Sequence, residues 1–219
     1  AYGKILSTEL LSLKNIKFLN IHASLLPKWR GAAPIQRSIM NLDKETGISI
    51  MKIVPKLDEG PVMMKSKVSI NKNTNAEKLS NELSHLAARM IIESLSLIEK
   101  KKAVFIEQNK NEATYAEKIR KVESKIDWNQ KASQIIAKVN ALYPDPGCWF
   151  EYDGSRIKIN KAIEVNQSGE PGNILNDKFV IACSENAVQL LEVQKEGKKS
   201  MSVSEFLRGN ELIVGTDAK

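Results

Sequence analysis

Apolar and polar positions in the first third of the chain alternate mainly with a period of two. Such alternation predicts a β-strand at residues 46–54. Residues 18–22, a short segment between polar stretches, and residues 62–70, which follow a turn, are predicted to be strands as well. Between the first two strands, residues 26–34 contain two Pro and one Gly and predict a loop. Pro34 suits the first position of a helix running to about Leu42, because a helix leaves that N–H unpaired in any case.

Two longer segments change to the helical period. Thr74 and Glu77 form a predicted capping box at the start of a helix that runs to about Glu99. Its apolar stripe consists of Leu79, Leu83, Leu86, Met90 and Leu97. Asp127 with Gln130 is expected to cap a second helix. The stripe of that helix consists of Ala132, Ile135, Ile136, Val139 and Leu142.

Short strands dominate the last third of the chain. They are predicted at residues 148–152, 156–165, 179–183 and 188–194. Ser202 and Glu205 form a capping box for a short helix that ends at Gly209. This pattern is typical of a compact barrel of the OB type. Residues 103–126 are polar and weakly periodic, so they are predicted to link a domain of residues 1–102 to a domain of residues 127–219.

Composition narrows the class of protein. The 219 residues are 42% apolar and 27% charged, as in a globular protein. No apolar run approaches the ~18 residues of a membrane span, which argues against an integral membrane protein. The chain has two Cys, two His and no C-x-x-C motif, so a metal centre bound by these residues is not expected. Cys148 and Cys183 are therefore expected to be free thiols of a reducing compartment, packed as small hydrophobic residues.

Charge is unevenly distributed along the chain. Residues 1–126 contain 22 Lys and Arg against 13 Asp and Glu, whereas residues 127–219 contain 11 against 13. The resulting excess of nine positive charges in the first part indicates a polyanionic partner such as a nucleic acid, or only a soluble, lysine-rich surface.

A candidate site combines Asn20, His22 and Asp58. Asn20 and His22 are two residues apart on a strand, so their side chains leave the same face. An amide donor beside an imidazole suits acyl transfer. If neighbouring strands are parallel, their carboxyl ends meet at one edge and Asp58 can orient His22. The alternative is a strand-end His and a turn Asp that are both satisfied by backbone groups.

Other candidates are less specific. Trp29 either stacks on a ligand ring or base, or anchors its loop on the protein. His85 lies off the apolar stripe of its helix and is expected to be exposed to solvent. The cations near the candidate site contact phosphate or form salt bridges inside the protein: Lys28, Arg30 and Arg37.

Five motifs carry a family resemblance. They are NIHASLLPKWRGAAPIQR at 20–37, ETGISIM at 45–51, LDEG at 57–60, TYAEK at 114–118 and IDW at 126–128. Together they closely resemble the methionyl-tRNA formyltransferase family over essentially the whole chain. The resemblance implies an α/β fold: a nucleotide-fold, Rossmann-like catalytic domain followed by an OB-like domain that helps to hold tRNA.

The resemblance also implies a reaction and a site. The formyl donor is 10-formyltetrahydrofolate, and the acceptor is the amino group of methionyl-initiator tRNA. The catalytic residues by motif are Asn20, His22 and Asp58, and the tetrahydrofolate-binding loop is Ser24, Leu25, Leu26 and Pro27. Asn20 would stabilise the tetrahedral oxyanion, His22 would take or relay a proton, and Asp58 would hold the imidazole. No metal is required.

The resemblance carries further expectations about context. It implies a cytoplasmic monomer that acts in translation initiation and does not bind a membrane. Relative to the family, the chain starts inside the catalytic domain, so part of that sheet is expected to be missing. Two alternatives stay open: a 10-formyltetrahydrofolate enzyme with another acceptor, and a truncated, inactive remnant that still binds tRNA.

Overall fold

The computed structural model describes residues 6–13 and 18–218. Residues 1–5 and residue 219, the outer ends of the two predicted domains, lie outside the described residues. The described chain divides into two compact units. The first comprises the described residues up to Ser38 together with Asp43–Asn71 and Lys78–Lys118. The second comprises Ile39–Leu42, Lys72–Glu77 and the described chain from Ile119 onwards.

The first part of the chain contains the elements that the hydrophobic pattern predicts, together with short segments at residues 8–11, 30–31, 110–112 and 115–116 that it does not predict. They are α1 (Thr8–Leu11), β1 (Leu19–His22), β2 (Arg30–Gly31), α2 (Pro34–Met40), β3 (Glu45–Lys52), β4 (Val62–Ser69), α3 (Ala76–Glu99), a 3-10 turn (Lys110–Glu112) and β5 (Tyr115–Ala116). The predicted strands and helices are thus confirmed, with ends that differ by one or two residues.

The sheet of the first unit is antiparallel, so the expected parallel arrangement of neighbouring strands is wrong. Its order is β1-β3-β4, with Asn20 opposite Met51 and His22 opposite Ser49. His22 pairs with Ser49 and Leu19 pairs with Lys52, so the connection between β1 and β3 begins and ends at the same end of the sheet. It therefore does not cross the sheet, as a connection between parallel strands must.

Apolar side chains of α3 form much of the core of this unit. Leu79, Leu83 and Met90 of the predicted stripe are buried. His85 is exposed, as predicted, and its Nδ1 lies 2.8 Å from the carbonyl oxygen of Asn81 one turn earlier.

Much of the predicted linker is built into the first unit. Val62 and Ile106 exchange two backbone hydrogen bonds of 2.8 and 2.9 Å. Further along, β5 pairs in parallel with β2. Residues 103–118 therefore belong to the first unit, and residues 119–126 to the second. Most side chains of this segment are exposed, which explains its polar composition. Its backbone is attached to the unit at Ile106 and at residues 114–116.

The second unit is mainly β-structure. Its elements are a 3-10 turn (Lys121–Ser124), α4 (Ala132–Leu142), β6 (Cys148–Tyr152), β7 (Ser155–Val165), β8 (Ile174–Asn176), β9 (Val180–Ala182), β10 (Ala187–Lys195), β11 (Met201–Ser202) and α5 (Val203–Gly209). The strands form an antiparallel sheet of order β6-β7-β10-β9-β8, with β11 on β10. Irregular register of β7 against β10 at Leu190 and Glu192 bends and curls this sheet.

Aromatic rings fill the centre of the second unit. Phe179 lies edge-to-face against Phe150 at 5.9 Å between ring centroids and against Tyr152 at 5.6 Å. Phe150 also meets Trp128 at 5.5 Å. Edge-to-face contacts of this kind stabilise a core beyond simple burial, and they join the first residues of the unit to its sheet.

Of the two helix caps predicted in the second unit, one is confirmed and one is wrong. The Ser202–Glu205 capping box is confirmed, because the Ser202 hydroxyl accepts from the Glu205 N–H and the Glu205 carboxylate accepts from the Ser202 N–H. The expected Asp127–Gln130 cap is wrong. α4 starts later, and its cap residue Lys131 donates its N–H to the Gln134 side chain at 3.2 Å. Asp127 instead accepts the N–H of Asn129 in a local turn.

Within the described ranges, no helix has the length and apolar character needed to cross a membrane.

The two cysteines provide a test of the second core. Burial raises the pKa of the Cys148 thiol to about 12 and that of the Cys183 thiol to about 12. Both groups should stay protonated at pH 8, so a disulfide reagent should not react with the folded protein. Unfolding in guanidinium should release two equivalents of thiol. A fast-reacting equivalent in the folded chain would contradict this packing.

Candidate active site

The loop after β1 is held by one buried hydroxyl. Ser49 lies opposite His22 in the sheet, and its Oγ donates to the carbonyl oxygen of Ser24 at 2.7 Å. The same Oγ accepts the N–H of Leu26 at 3.1 Å. Ser24 and Ser49 are both fully buried. The loop is therefore attached to the sheet through its own backbone.

His22 is buried and has an oxygen atom beside each ring nitrogen. Nε2 lies 2.8 Å from the carbonyl oxygen of Trp29, so this hydrogen bond places a proton on Nε2. Nδ1 lies 3.6 Å from Oδ2 of Asp58. Nδ1 therefore faces the carboxylate of Asp58 within ion-pair distance.

Asp58 reaches His22 from the turn between β3 and β4. Its Oδ2 accepts the N–H of Gly31 at 2.8 Å, and Oδ1 has no hydrogen bond within residues 6–13 and 18–218. The backbone of Asp58 is left-handed, with a φ of 49°. Gly31 has a φ of 117°, and a Cβ there would lie 2.7 Å from the carbonyl oxygen of Ala116. Only glycine therefore lets this N–H reach the carboxylate.

Asn20 supplies an uncommitted amide. It precedes His22 by two residues in β1, so it shares the His22 face, while Ile21 on the opposite face is 40% exposed. The Asn20 side chain makes no hydrogen bond to any other described residue. Its N–H groups remain available to a ligand oxygen.

The sequence predicts that His22 and Asp58 either face each other as a pair or are satisfied separately by backbone groups, and the structure contains both kinds of contact. Each group has a backbone partner, Trp29 for His22 and Gly31 for Asp58. The two side chains nevertheless face each other, although the strands run antiparallel. The turn after β3 achieves this by folding back, rather than by the meeting of two strand ends.

The four residues predicted to bind tetrahydrofolate form one tight loop. Ser24 Oγ donates to the carbonyl oxygen of Lys28 at 2.6 Å, so this hydroxyl stabilises the loop itself. Leu26 and Pro27 are buried, and Leu25 is half-buried. A cavity of about 370 Å³ opens beside the loop. It is lined by Leu25, Leu26, Pro27, Lys28, Trp29, Asp43, Glu45, Thr46, Lys65, Lys67 and Glu112.

Three of the four remaining candidates near the site are anchored inside the first unit, whereas Lys28 is exposed to solvent. Trp29 Nε1 donates to Asp43 at 2.7 Å, which favours the anchoring interpretation of this ring. Arg30 is 1% exposed and pairs with Glu59 at 3.2 Å, as an internal salt bridge. Arg37 Nε donates to the carbonyl oxygen of Glu117 at 3.0 Å.

The sequence does not identify Gln108 as a candidate site residue. Its side chain accepts from Arg30 and donates to the backbone of the Asp58 turn. It lies in a polar segment without clear periodicity, and no motif singles it out.

In the described part of the chain, no group of three or more His, Cys, Asp or Glu residues could hold a metal ion.

Ser49 gives a direct test of the loop attachment. Ser49→Ala leaves the Ser24 carbonyl and the Leu26 N–H buried and unpaired, so we expect a loss of about 2 kcal/mol in the free energy of unfolding. Ser84→Ala is the control in the same unit, because its hydroxyl is exposed and bonds only the preceding turn. That variant should change stability by less than about 0.5 kcal/mol. Equal urea unfolding curves for both variants would refute the attachment.

Comparison with known families covers both units. The family model "Formyl transferase" matches residues 1–95, and "Formyl transferase, C-terminal domain" matches residues 118–211. Among solved structures, HypX from Aquifex aeolicus in complex with tetrahydrofolic acid has a TM-score of 0.71 at 19% identity, over 98% of this chain and 41% of that one. Methionyl-tRNA formyltransferase from Clostridium thermocellum has a TM-score of 0.61 at 23% identity, over 75% of this chain and 70% of that one. At these identities the likeness concerns the fold.

Sequence relatives are much closer. Methionyl-tRNA formyltransferase of Pelagibacter ubique is 50% identical over 217 residues, which are 99% of this chain and 70% of the relative. The enzyme of the same name from Caldanaerobacter subterraneus is 41% identical over 100% of this chain and 72% of its own length. Since both family models match and the alignments with these relatives extend over nearly the whole chain, the chain belongs to the methionyl-tRNA formyltransferase family.

Proposed function

We propose that this chain transfers the formyl group of 10-formyltetrahydrofolate to the amino group of methionyl-initiator tRNA, with Asn20, His22 and Asp58 as its catalytic residues. The observation that carries the proposal is the uncommitted Asn20 amide on the same strand face as a buried imidazole–carboxylate pair. With these substrates the reaction belongs to translation initiation, and we place it in a cytoplasmic monomer.

The chemistry requires an oxyanion to be stabilised and a proton to be moved. The amine nitrogen attacks the formyl carbon, and the electron pair of the C=O bond moves to oxygen. Asn20 donates an N–H to that oxygen. The bond between the formyl carbon and N10 then breaks and the C=O bond re-forms, which leaves the formyl group on the amine nitrogen. N10 takes up the proton that the amine has lost, so the reaction consumes no net proton.

His22 and Asp58 are suited to the proton transfer as a pair. The buried imidazole lies between the Trp29 carbonyl and the Asp58 carboxylate, which holds the ring in one orientation. The proton of the amine passes to this pair and is returned to N10. While the proton is on His22, Asp58 balances the charge of the imidazolium.

The cavity beside the loop is suited to the donor. Its volume of about 370 Å³ is within the usual range for small-molecule sites. Leu25, Leu26 and Pro27 offer an apolar wall for a fused ring, and the exposed Lys28 offers a cation to a carboxylate. Lys67 already pairs with Glu45, and Lys65 donates to the carbonyl oxygen of Leu26. We therefore assign the formyl donor to this cavity, with the half-buried Leu25 as the contact from the loop.

The second unit is the proposed tRNA-binding domain, with an OB-like barrel as its finer classification. The guanidinium of Arg156 stacks 3.9 Å above the Trp149 ring, and Lys125 approaches the same ring at 5.4 Å. Lys158 and Lys195 line an adjoining cavity. Cations around a half-buried aromatic ring suit phosphate and base contacts, although the unit as a whole is not basic.

Variants of the three site residues test the reaction. Asn20→Ala removes one oxyanion donor and should lower kcat on the order of 10² to 10³-fold. His22→Ala and Asp58→Asn should lower it on the order of 10² to 10⁴-fold. Transfer of labelled formyl from 10-formyltetrahydrofolate to charged initiator tRNA measures all three. Wild-type turnover in any of them would remove that residue from the mechanism.

The same assay separates the alternatives. A small amine preferred over charged tRNA would indicate another acceptor. Salt-sensitive tRNA binding without any transfer would indicate an inactive, tRNA-binding remnant.

Arg156 tests the tRNA surface. Arg156→Ala should weaken tRNA binding and reduce the slope of log affinity against log salt by about 1, the value for one lost phosphate contact. Lys178→Ala, on the turn between β8 and β9, removes the same charge and serves as the control. If both variants bind with the wild-type salt slope, this surface does not contact the phosphate backbone.

A further inference from the structure

We propose that Gln108 and Arg30 are positioning residues that set the Asp58 carboxylate against His22. The inference rests on the proposed function of that pair. It assigns a role in catalysis to a segment whose sequence has the character of a linker.

Gln108 holds the Asp58 turn through both of its N–H groups. Nε2 donates to the carbonyl oxygen of Asp58 at 2.8 Å and to that of Gly60 at 2.7 Å. A primary amide has two N–H donors, so its donor capacity is fully used. The two carbonyls lie on either side of Glu59, and one side chain therefore fixes the backbone of the whole turn.

Arg30 fixes Gln108 in turn. Its Nη2 and Nε donate to Oε1 of Gln108 at 2.9 and 3.2 Å. Its Nη1 pairs with Glu59 at 3.2 Å. A guanidinium with planar, forked donors orients an acceptor oxygen better than a flexible ammonium does. Since Arg30 is 1% exposed, loss of either partner would leave its buried charge without compensation and would destabilise the fold.

The contacts close into a ring around the catalytic pair. The Trp29 carbonyl oxygen accepts from His22, and the Gly31 N–H donates to the Asp58 carboxylate. Arg30, which lies between these two residues in the chain, donates to Gln108. Gln108 in turn donates to the backbone carbonyl oxygen of Asp58. A shift of any member is thus transmitted to the separation between His22 and Asp58.

The conformation of Asp58 explains why such support is needed. A left-handed backbone is unfavourable for a residue with a Cβ, and it persists only where the surroundings hold it. Without the two donors from Gln108, the turn is free to relax, and the carboxylate then moves away from Nδ1 of His22.

Gln108→Glu isolates this function. The carboxylate keeps the size of the side chain and still accepts from Arg30, but it cannot donate to the two carbonyls of the turn. Misplacing a reacting group by about 1 Å costs on the order of a hundredfold in rate. We therefore expect kcat for formyl transfer to fall on the order of 10- to 100-fold, with KM for both substrates changed less than about threefold.

Two matched variants separate charge from hydrogen bonding. Asn111→Asp adds the same charge to an exposed amide of the same segment and should leave kcat unchanged. Glu59→Gln combined with Gln108→Glu restores the charge around Arg30 but still lacks the two donors, so it should stay impaired. Recovery in this double variant would show that charge alone is responsible and would overturn the proposal.

NMR signals of the His22 imidazole report the position of Asp58 relative to His22 independently of enzyme turnover. The chain contains two histidines, His22 and His85. In Gln108→Glu the ring nitrogen signals of His22 should shift at fixed pH, while those of His85 stay in place. Unchanged His22 signals would overturn the proposal, whatever happens to kcat. If Gln108→Glu does not fold, Gln108→Met removes the donors without a charge and is judged by the same two readouts.

The outcomes distinguish this proposal from the function it rests on. Wild-type kcat in both His22→Ala and Asp58→Asn would refute the catalytic assignment itself. Loss of activity in those variants, with wild-type kcat and His22 signals in Gln108→Glu, would refute only the positioning role. If the unmodified chain shows no transfer, the His22 signals decide the positioning role alone.

Discussion

The candidate site depends on a guanidinium buried beneath it. Arg30 has almost no contact with solvent, so Glu59 and Gln108 must stay beside it to offset the cost of removing its charge from water. Gln108 in turn holds the turn that presents Asp58. The contacts that stabilise the buried cation therefore also set the position of the proposed catalytic carboxylate.

Three consecutive residues at the end of the loop serve this arrangement in different ways. Trp29 contributes its carbonyl oxygen to His22, Arg30 contributes its side chain to Gln108, and Gly31 contributes its N–H to Asp58. Because two of these groups belong to the backbone, their positions depend on the path of the chain. That path is fixed on one side by Ser49 and on the other by the pairing of β2 with β5.

The two units stabilise themselves by different means. The first relies on a three-stranded sheet, the apolar side of α3 and buried polar networks. The second relies on a cluster of aromatic rings enclosed by a curled sheet.

The sequence by itself determined most of the elements, the Ser202–Glu205 cap, the family, and the face shared by Asn20 and His22. These follow from local periodicity, short-range side-chain contacts and motifs, all of which are written in neighbouring residues. The tertiary structure decided the direction of β3 relative to β1, the start of α4, the attachment of residues 103–118 to the first unit, and the partners of Arg30. Gln108 lies 78 residues from Arg30 and 50 from Asp58. Contacts over such separations depend on how the elements pack, and no local pattern of residues encodes them.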